Sequence, residues 1–214
     1  MDGVTIFNSY FNEYDQWFDD NEQIFQAEVN ALKKLVPQKG LGIEVGVGTG
    51  RFSIPFGIYM GIDPSRNMGR MAKTRNISVC QAVGEYLPFC DDEFDFVLIV
   101  TVICFMNSVR HVVDEVRRIL KIGGQITIGF IDKETPLGQM YESRKNVDKF
   151  YKAAHFYSTP EIINQVGRAG FSQIRCYQTI FGLPCDNEMV YQIREGFGEG
   201  AFVAMGAIKI GDRI

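Results

Sequence analysis

Histidine is nearly absent from this chain: His111 and His155 are the only two. The five cysteines, at positions 80, 90, 104, 176 and 185, form no C-x-x-C pair. Zinc-ligand spacing is therefore missing and no metal site is expected; the odd set of thiols reads as small hydrophobes. Long apolar runs are lacking, so no segment is expected to span a bilayer. The opening residues, MDGVTIFNSYFNEYDQWFDD, are broken by acids every few positions and lack a signal sequence's pattern, which makes a cytoplasmic location the expectation. Basic blocks are lacking too. With 22 Lys and Arg against 26 Asp and Glu, the net charge is −4, which argues against nucleic acid as the principal partner.

What is present suits a globular enzyme-sized unit. At 214 residues and 46% apolar, the chain can bury one substantial core, so residues 1–214 are expected to form a single domain without a linker or internal repeat. Its centre is the stretch Leu41–Gly50, LGIEVGVGTG. Apolar residues around Glu44 read as a buried strand, and Gly46, Gly48 and Gly50 as a tight turn whose bare backbone can approach a ligand. The spacing excludes two nucleotide motifs. Residue 51, where G-x-G-x-x-G wants its third glycine, is Arg, and no Gly-Lys-Ser/Thr follows for a P-loop. What remains is E-x-G-x-G-x-G, with a carboxylate able to meet an ammonium group or orient the loop's amides. Asp63, in YMGIDPS, stands at the expected end of a second strand, where a carboxylate can hold both hydroxyls of a ribose.

Elsewhere the pattern alternates. Phe7, Tyr10, Phe11, Tyr14, Trp17 and Phe18 fall on one helical face that can pack on the sheet or lie over a cleft. A second helix is expected from a cap at Asp20 or Asn21 to near Pro37. Pro55 limits the crossover after the glycine turn to two turns or fewer. A helix capped by Ser65, a strand over 77–80, a buried strand over 94–102 and a helix capped by Asn107 or Ser108 follow. Gly123-Gly124 is expected to stop that helix before a strand over 125–131. Residues 132–158 break the rhythm as a polar, aromatic, lid-like insert. Thr159, with Pro160 at the first position, is expected to cap a helix ending at Gly170. Strands over 174–181 and 201–210 close the chain. Alternation of this kind predicts a doubly wound, mostly parallel sheet, with ligands beyond the carboxyl ends of its strands. Glu44, Asp63, the 81–86 loop and Thr101–Asn107 would all emerge on that edge.

EVGVGTG, then GIDPS, then AVGEYLPFCDDEFDFVLIV, then VVDEVRRILKIGGQITIGF resemble the class I S-adenosylmethionine-dependent methyltransferases, of the UbiE or type-11 kind. The likeness spans about residues 41–131 and continues through HFYSTPEIINQVGRAGF to residue 171. It implies a Rossmann-like α/β fold with a seven-stranded sheet, last strand antiparallel, and S-adenosyl-L-methionine as cofactor. By resemblance Glu44, Gly46, Gly48 and Gly50 surround the methionine moiety, Asp63 holds the ribose, and Pro64 lies beside adenine. Val83 stands where relatives carry an Asp for the adenine amino group, which shifts that role to backbone near Gly84 and Glu85. Thr101 faces the methionine end, and Cys104-Phe105 replaces a His found in many relatives.

The reaction implied is in-line transfer of a methyl group to a small-molecule acceptor. His155 and Tyr14 are candidates to take a proton. Tyr10, Tyr14, Phe105, Asp132, Glu134, Tyr141 and His155 are substrate-side candidates. Together with the aromatic stripe and the insert they favour a small, partly apolar amine, phenol or carboxylate, with a larger lipid-like acceptor as the wider case. The protein is expected as a monomer or homodimer. A non-catalytic binding protein of the same fold is the alternative; a nicotinamide-dependent oxidoreductase is a weaker one, because its glycine spacing is wrong.

Overall fold

The computed structural model describes residues 3–183 and 189–211. Its core is one eight-stranded sheet in the order β3-β2-β1-β4-β5-β8-β6-β7. Strands β1 (Gly42–Val45), β2 (Met60–Ile62), β3 (Ser78–Cys80), β4 (Phe94–Val100) and β5 (Leu120–Ile131) are parallel neighbours. Strand β8 (Phe202–Lys209) lies antiparallel between β5 and β6 (Phe171–Thr179). The central strands are mostly apolar and buried, as strands covered on both faces must be: in β4 every residue but Asp95 is buried. One layer of core joins β4, β5 and helix α5 (Val109–Ile119) through Val97, Ile99, Val112 and Val116. The other packs α3 (Glu22–Leu32) on the opposite face through Leu32, Leu98 and Phe202.

Several sequence expectations hold and several shift. The sheet has eight described strands rather than seven, because Arg194 and Glu195 add a two-residue edge strand, β7, too short to carry a pattern. Its last strand is antiparallel, as expected. The aromatic stripe is not one helix: the chain breaks at Tyr10 between α1 (Gly3–Ser9) and α2 (Phe11–Asp20). Pro55 sits in a single 3-10 turn, Ile54–Phe56, and Ser65 caps α4 (Arg66–Thr74) by accepting from the Met68 amide. Ser108 does the same for α5. Gly123-Gly124 does not stop that helix. α5 ends at Ile119, and the glycines lie inside β5, where the register on β4 jumps from Leu120 to Gln125 and Gly123 takes φ +82°. Residues 132–158 fold into α6 (Pro136–Arg144) and a 3-10 turn at Tyr151–Ala153. Helix α7 (Thr159–Arg168) is capped by Ser158, not Thr159, in a capping box with Glu161. Thr159 is committed elsewhere: its hydroxyl donates to Asp132 at 2.6 Å. Pro184-Cys185 lie outside the described residues.

Candidate functional site

The carboxyl ends of β1, β2 and β4 open on one edge, and each contributes a turn. The amides of Gly46 and Val47 both donate to the Ile62 carbonyl at 2.9 Å, tying the glycine turn to β2. Gly46 has φ +77°, and a Cβ there would meet the Val102 side chain at 2.6 Å, so backbone conformation and space both require glycine. Asp63 follows β2. Its Oδ2 accepts from the Gly48 amide at 2.9 Å and its Oδ1 from the Ser65 amide at 2.8 Å. The acid thereby fixes the turn while facing a cavity of about 270 Å³. Gly46, Gly48, Asp63, Pro64, Gly84, Glu85 and Thr101, all expected at the cofactor, line that cavity together with Val83. The Glu85 carboxylate itself turns to the amides of Asn107 and Ser108.

Two residues of the cofactor set stand back. Glu44 is buried beneath the turn, 1% exposed, with its carboxyl bonded to the Ser53 hydroxyl, and it does not line the cavity. Gly50 is a packing position: a Cβ would meet Ile77 at 2.4 Å. Burial pushes the Glu44 carboxyl up to about 8 against the pull of Ser53. Burial likewise raises Asp63 to about 6, opposed by the Ser65 and Gly48 amides.

A roof comes from the N-terminus. Gly3, Val4 and Phe7 of α1 line the cavity, and Asn8 holds α1 down by accepting from the Asn67 amide at 3.0 Å. Helix α2 is held by charge: Asp15 takes Arg51 in a bidentate pair at 3.0 and 2.8 Å and Arg75 at 2.8 Å. Burial alone would raise the Asp15 carboxyl, yet the hydrogen bonds from Arg51 and Arg75 outweigh it and hold it at about 2. Asp15→Asn is expected to cost about 1–3 kcal/mol, because two part-buried guanidiniums lose the carboxylate charge they share, Arg51 keeping Asp19 and Arg75 the Thr49 carbonyl. Urea unfolding checks this.

A second cavity, of about 220 Å³, adjoins the first and shares Phe7, Tyr14, Thr101 and Phe105 with it. Trp17, Phe18, Tyr141, Phe150 and Tyr151 complete an aromatic wall, with Tyr14 edge-on to Phe18 at 5.3 Å and Tyr141 5.1 Å from Tyr151. Thr101, on the shared boundary, has φ +53°. A β-branched residue held there costs about 1–3 kcal/mol, and its amide, bonded to the Gly129 carbonyl at 2.8 Å, helps to fix it. Burial raises the Tyr14 phenol far above its ordinary value, and the Thr101 side chain pulls the other way. Glu28 of α3 also lines this chamber.

The substrate-side set divides. Tyr14, Phe105 and Tyr141 meet at the second cavity. Four candidates do not. Tyr10 is exposed and lies under the Lys149 ammonium, 4.3 Å from its ring centroid. Asp132 is 1% exposed and gives its carboxylate to the Glu134 amide and to Thr159, where it joins β5 to α7. Glu134 is exposed away from both cavities. His155 is exposed, its ring against Tyr157 and its amide on the Cys104 carbonyl. Two of these corrections share a cause: within the insert Tyr141 and Tyr151 face the chamber while Glu134 and His155 face outward. Sequence reasoning missed Glu28, whose signal was one acid amid the α3 stripe of Ile24, Ala27, Ala31 and Leu32. It also left Phe150 and Tyr151 unassigned.

These buried acids set a pH dependence. A carboxyl raised above its unfolded value holds its proton in the folded state after the unfolded chain has released it, so stability falls as pH rises between the two values. Glu28 and Glu44, both pushed up to about 8 by burial, should each steepen the loss between about pH 4.5 and 8 by up to about 1.4 kcal/mol per pH unit. Urea unfolding across that range should show declining stability, with a shallower decline in Glu28→Gln.

Comparison with known proteins agrees with this geometry. Residues 43–128 match the family described as methyltransferase domain. An uncharacterized protein of Methanocaldococcus jannaschii is 48% identical over 97% of this chain and 100% of its own length. One from Mycobacterium tuberculosis is 34% identical over 91% of this chain and 70% of its own. The crystal structure of a Thermotoga maritima protein superimposes with a TM-score of 0.92 at 40% identity, covering 97% of this chain and 99% of that one. That protein is described as an S-adenosylmethionine-dependent methyltransferase, possible histamine N-methyltransferase.

Proposed function

The chain belongs to the S-adenosylmethionine-dependent methyltransferases, and on that premise we propose that it binds the cofactor in the first cavity and methylates a small molecule held in the second. The observation that carries this reading is the junction: two cavities, one lined by the glycine turn and Asp63, the other aromatic, share Phe7, Tyr14, Thr101 and Phe105. The first cavity suits the cofactor chemically. It offers a buried carboxylate for hydroxyl donors, apolar Pro64 and Val83 for a flat ring, and no Lys, Arg or His among its described lining residues to repel a sulfonium.

When bound, the cofactor supplies a methyl group already activated on positive sulfur: the nucleophile's lone pair forms the new bond in line while the carbon–sulfur pair returns to sulfur. The chain's contribution is placement. Asp63, held by two backbone amides, receives the ribose hydroxyls; backbone near Gly84 and Glu85 meets the base. Thr101 and Tyr14 bound the passage to the acceptor, and Phe7 and Phe105 keep water from it. Among the described residues no helix is long and apolar enough to cross a membrane. Its 220 Å³ chamber lies below the roughly 300–1,000 Å³ common for drug-sized ligands, which favours a compact acceptor over a lipid-like one.

The test is incubation with methyl-labelled cofactor and a panel of small amines, phenols and acids. Label should pass to a small molecule with release of S-adenosylhomocysteine. Transfer only to protein or nucleic acid would overturn the small-molecule reading.

A further inference from the structure

Glu28 sits at 4% exposure and lines the second cavity but not the first. Its Oε2 has no hydrogen-bond partner among the described residues. A buried carboxyl with a bare oxygen is costly to the fold, and an apolar residue would simply complete the stripe of α3. Such a group is accounted for if something that enters the chamber meets it.

The walls indicate the sign of that visitor. Tyr14, Trp17, Phe105, Tyr141, Phe150 and Tyr151 present rings, whose faces are partly negative and attract cations. Among the described lining residues the only other charged group is again an acid, Asp148, and its Oδ1 is committed to the Phe150 and Tyr151 amides at 2.8 and 2.9 Å. No Lys, Arg or His is among the described lining residues. A carboxylate or phosphate acceptor would enter beside two acids with no counter-charge. A neutral phenol or alcohol could donate to Glu28 but would leave the electrostatics of the rings unused.

We propose, resting on the methyl-transfer reading above, that the acceptor is a small aliphatic or arylalkyl amine carried as its ammonium ion, and that Glu28 is the residue that pairs with its nitrogen. The pair also settles where a proton goes. An ammonium has no lone pair, so one proton must leave nitrogen before nitrogen can bond to carbon. Ammonium with carboxylate, and amine with carboxylic acid, contain the same atoms and differ only in the place of one proton between nitrogen and Oε2. The second form frees the lone pair. Burial, which pushes Glu28 up to about 8, brings the two forms closer in energy.

The test is binding rather than turnover. Wild type and Glu28→Gln, each first saturated with S-adenosylhomocysteine, are titrated near neutral pH with 2-phenylethylamine, 2-phenylethanol and phenylacetate. Wild type should hold the amine about tenfold or more tighter than either analogue, the scale of a charge-assisted contact. Glu28→Gln should lose that preference while binding S-adenosylhomocysteine and the alcohol as before. Glu28→Asp should keep the preference at reduced affinity, which separates charge from packing. Equal or tighter binding of the alcohol or acid, no binding of the amine, or a preference that survives in Glu28→Gln would each overturn the assignment. Failure of wild type to bind S-adenosylhomocysteine in the first titration would instead remove the cofactor reading itself, so the two failures are told apart.

Discussion

Gly46→Ala is expected to destabilise the protein by about 2–4 kcal/mol and to weaken cofactor binding with it. Two costs combine. The residue sits at φ +77°, where an L side chain is strained, and the added Cβ would lie 2.6, 2.7 and 2.9 Å from three atoms of Val102. That valine lines the first cavity, so relief of the clash moves a wall of the cofactor site. Gly57 gives the matched control. It has φ +64° but nothing within 4 Å of its would-be Cβ. Gly57→Ala should therefore show only the conformational cost, about 1–2 kcal/mol, with cofactor affinity unchanged. Urea unfolding and calorimetric titration of both variants separate strain from steric conflict. Equal losses in the two would show that Val102 yields without consequence.

Asp63→Ala is expected to leave the fold largely intact and to weaken cofactor binding by about 1.5–3 kcal/mol, roughly ten- to more than a hundredfold in Kd. The carboxylate is the acid of the first cavity that is both buried and on its surface, since Glu44 lies beneath the turn and the Glu85 carboxylate accepts from the Asn107 and Ser108 amides. Part of the loss will come from the turn. Without Asp63 the Gly48 and Ser65 amides lose their partner, and the glycine loop gains freedom that binding must then remove. Asp63→Asn separates these contributions: one amide oxygen can still accept from a backbone N–H, while the charge offered to the hydroxyls is gone.

How much of this was legible beforehand follows from which signals are local. The turn and its acid were: glycines at 46, 48 and 50 and a carboxylate after the next strand are short-range consequences of backbone geometry, and Gly46, Gly48 and Asp63 meet at one cavity while Gly50 packs beneath it. The cap at Ser65 was equally readable, and the cap of α5 was narrowed to Asn107 or Ser108, of which Ser108 serves; the antiparallel last strand came only with the family resemblance. What failed depends on distant partners. Thr159 looks like a cap until Asp132, far away in sequence, claims its hydroxyl. His155 looks like a proton acceptor because it is scarce, yet its side chain faces solvent and only its backbone amide reaches toward the core. Gly123-Gly124 looks like a helix stop, but the same residues serve a register shift between β4 and β5 that only pairing reveals. Glu28 was missed for the opposite reason. One acid within an apolar stripe carries little weight until its burial and its bare oxygen are seen.

The measurement that tests the account most directly is calorimetric titration of the folded, ligand-free protein with S-adenosylhomocysteine, wild type beside Asp63→Ala. The account predicts one site per chain in wild type and a loss of roughly tenfold or more in the variant. No heat of binding in wild type, or an affinity in Asp63→Ala equal to that of wild type, would contradict the placement of the cofactor against the glycine turn.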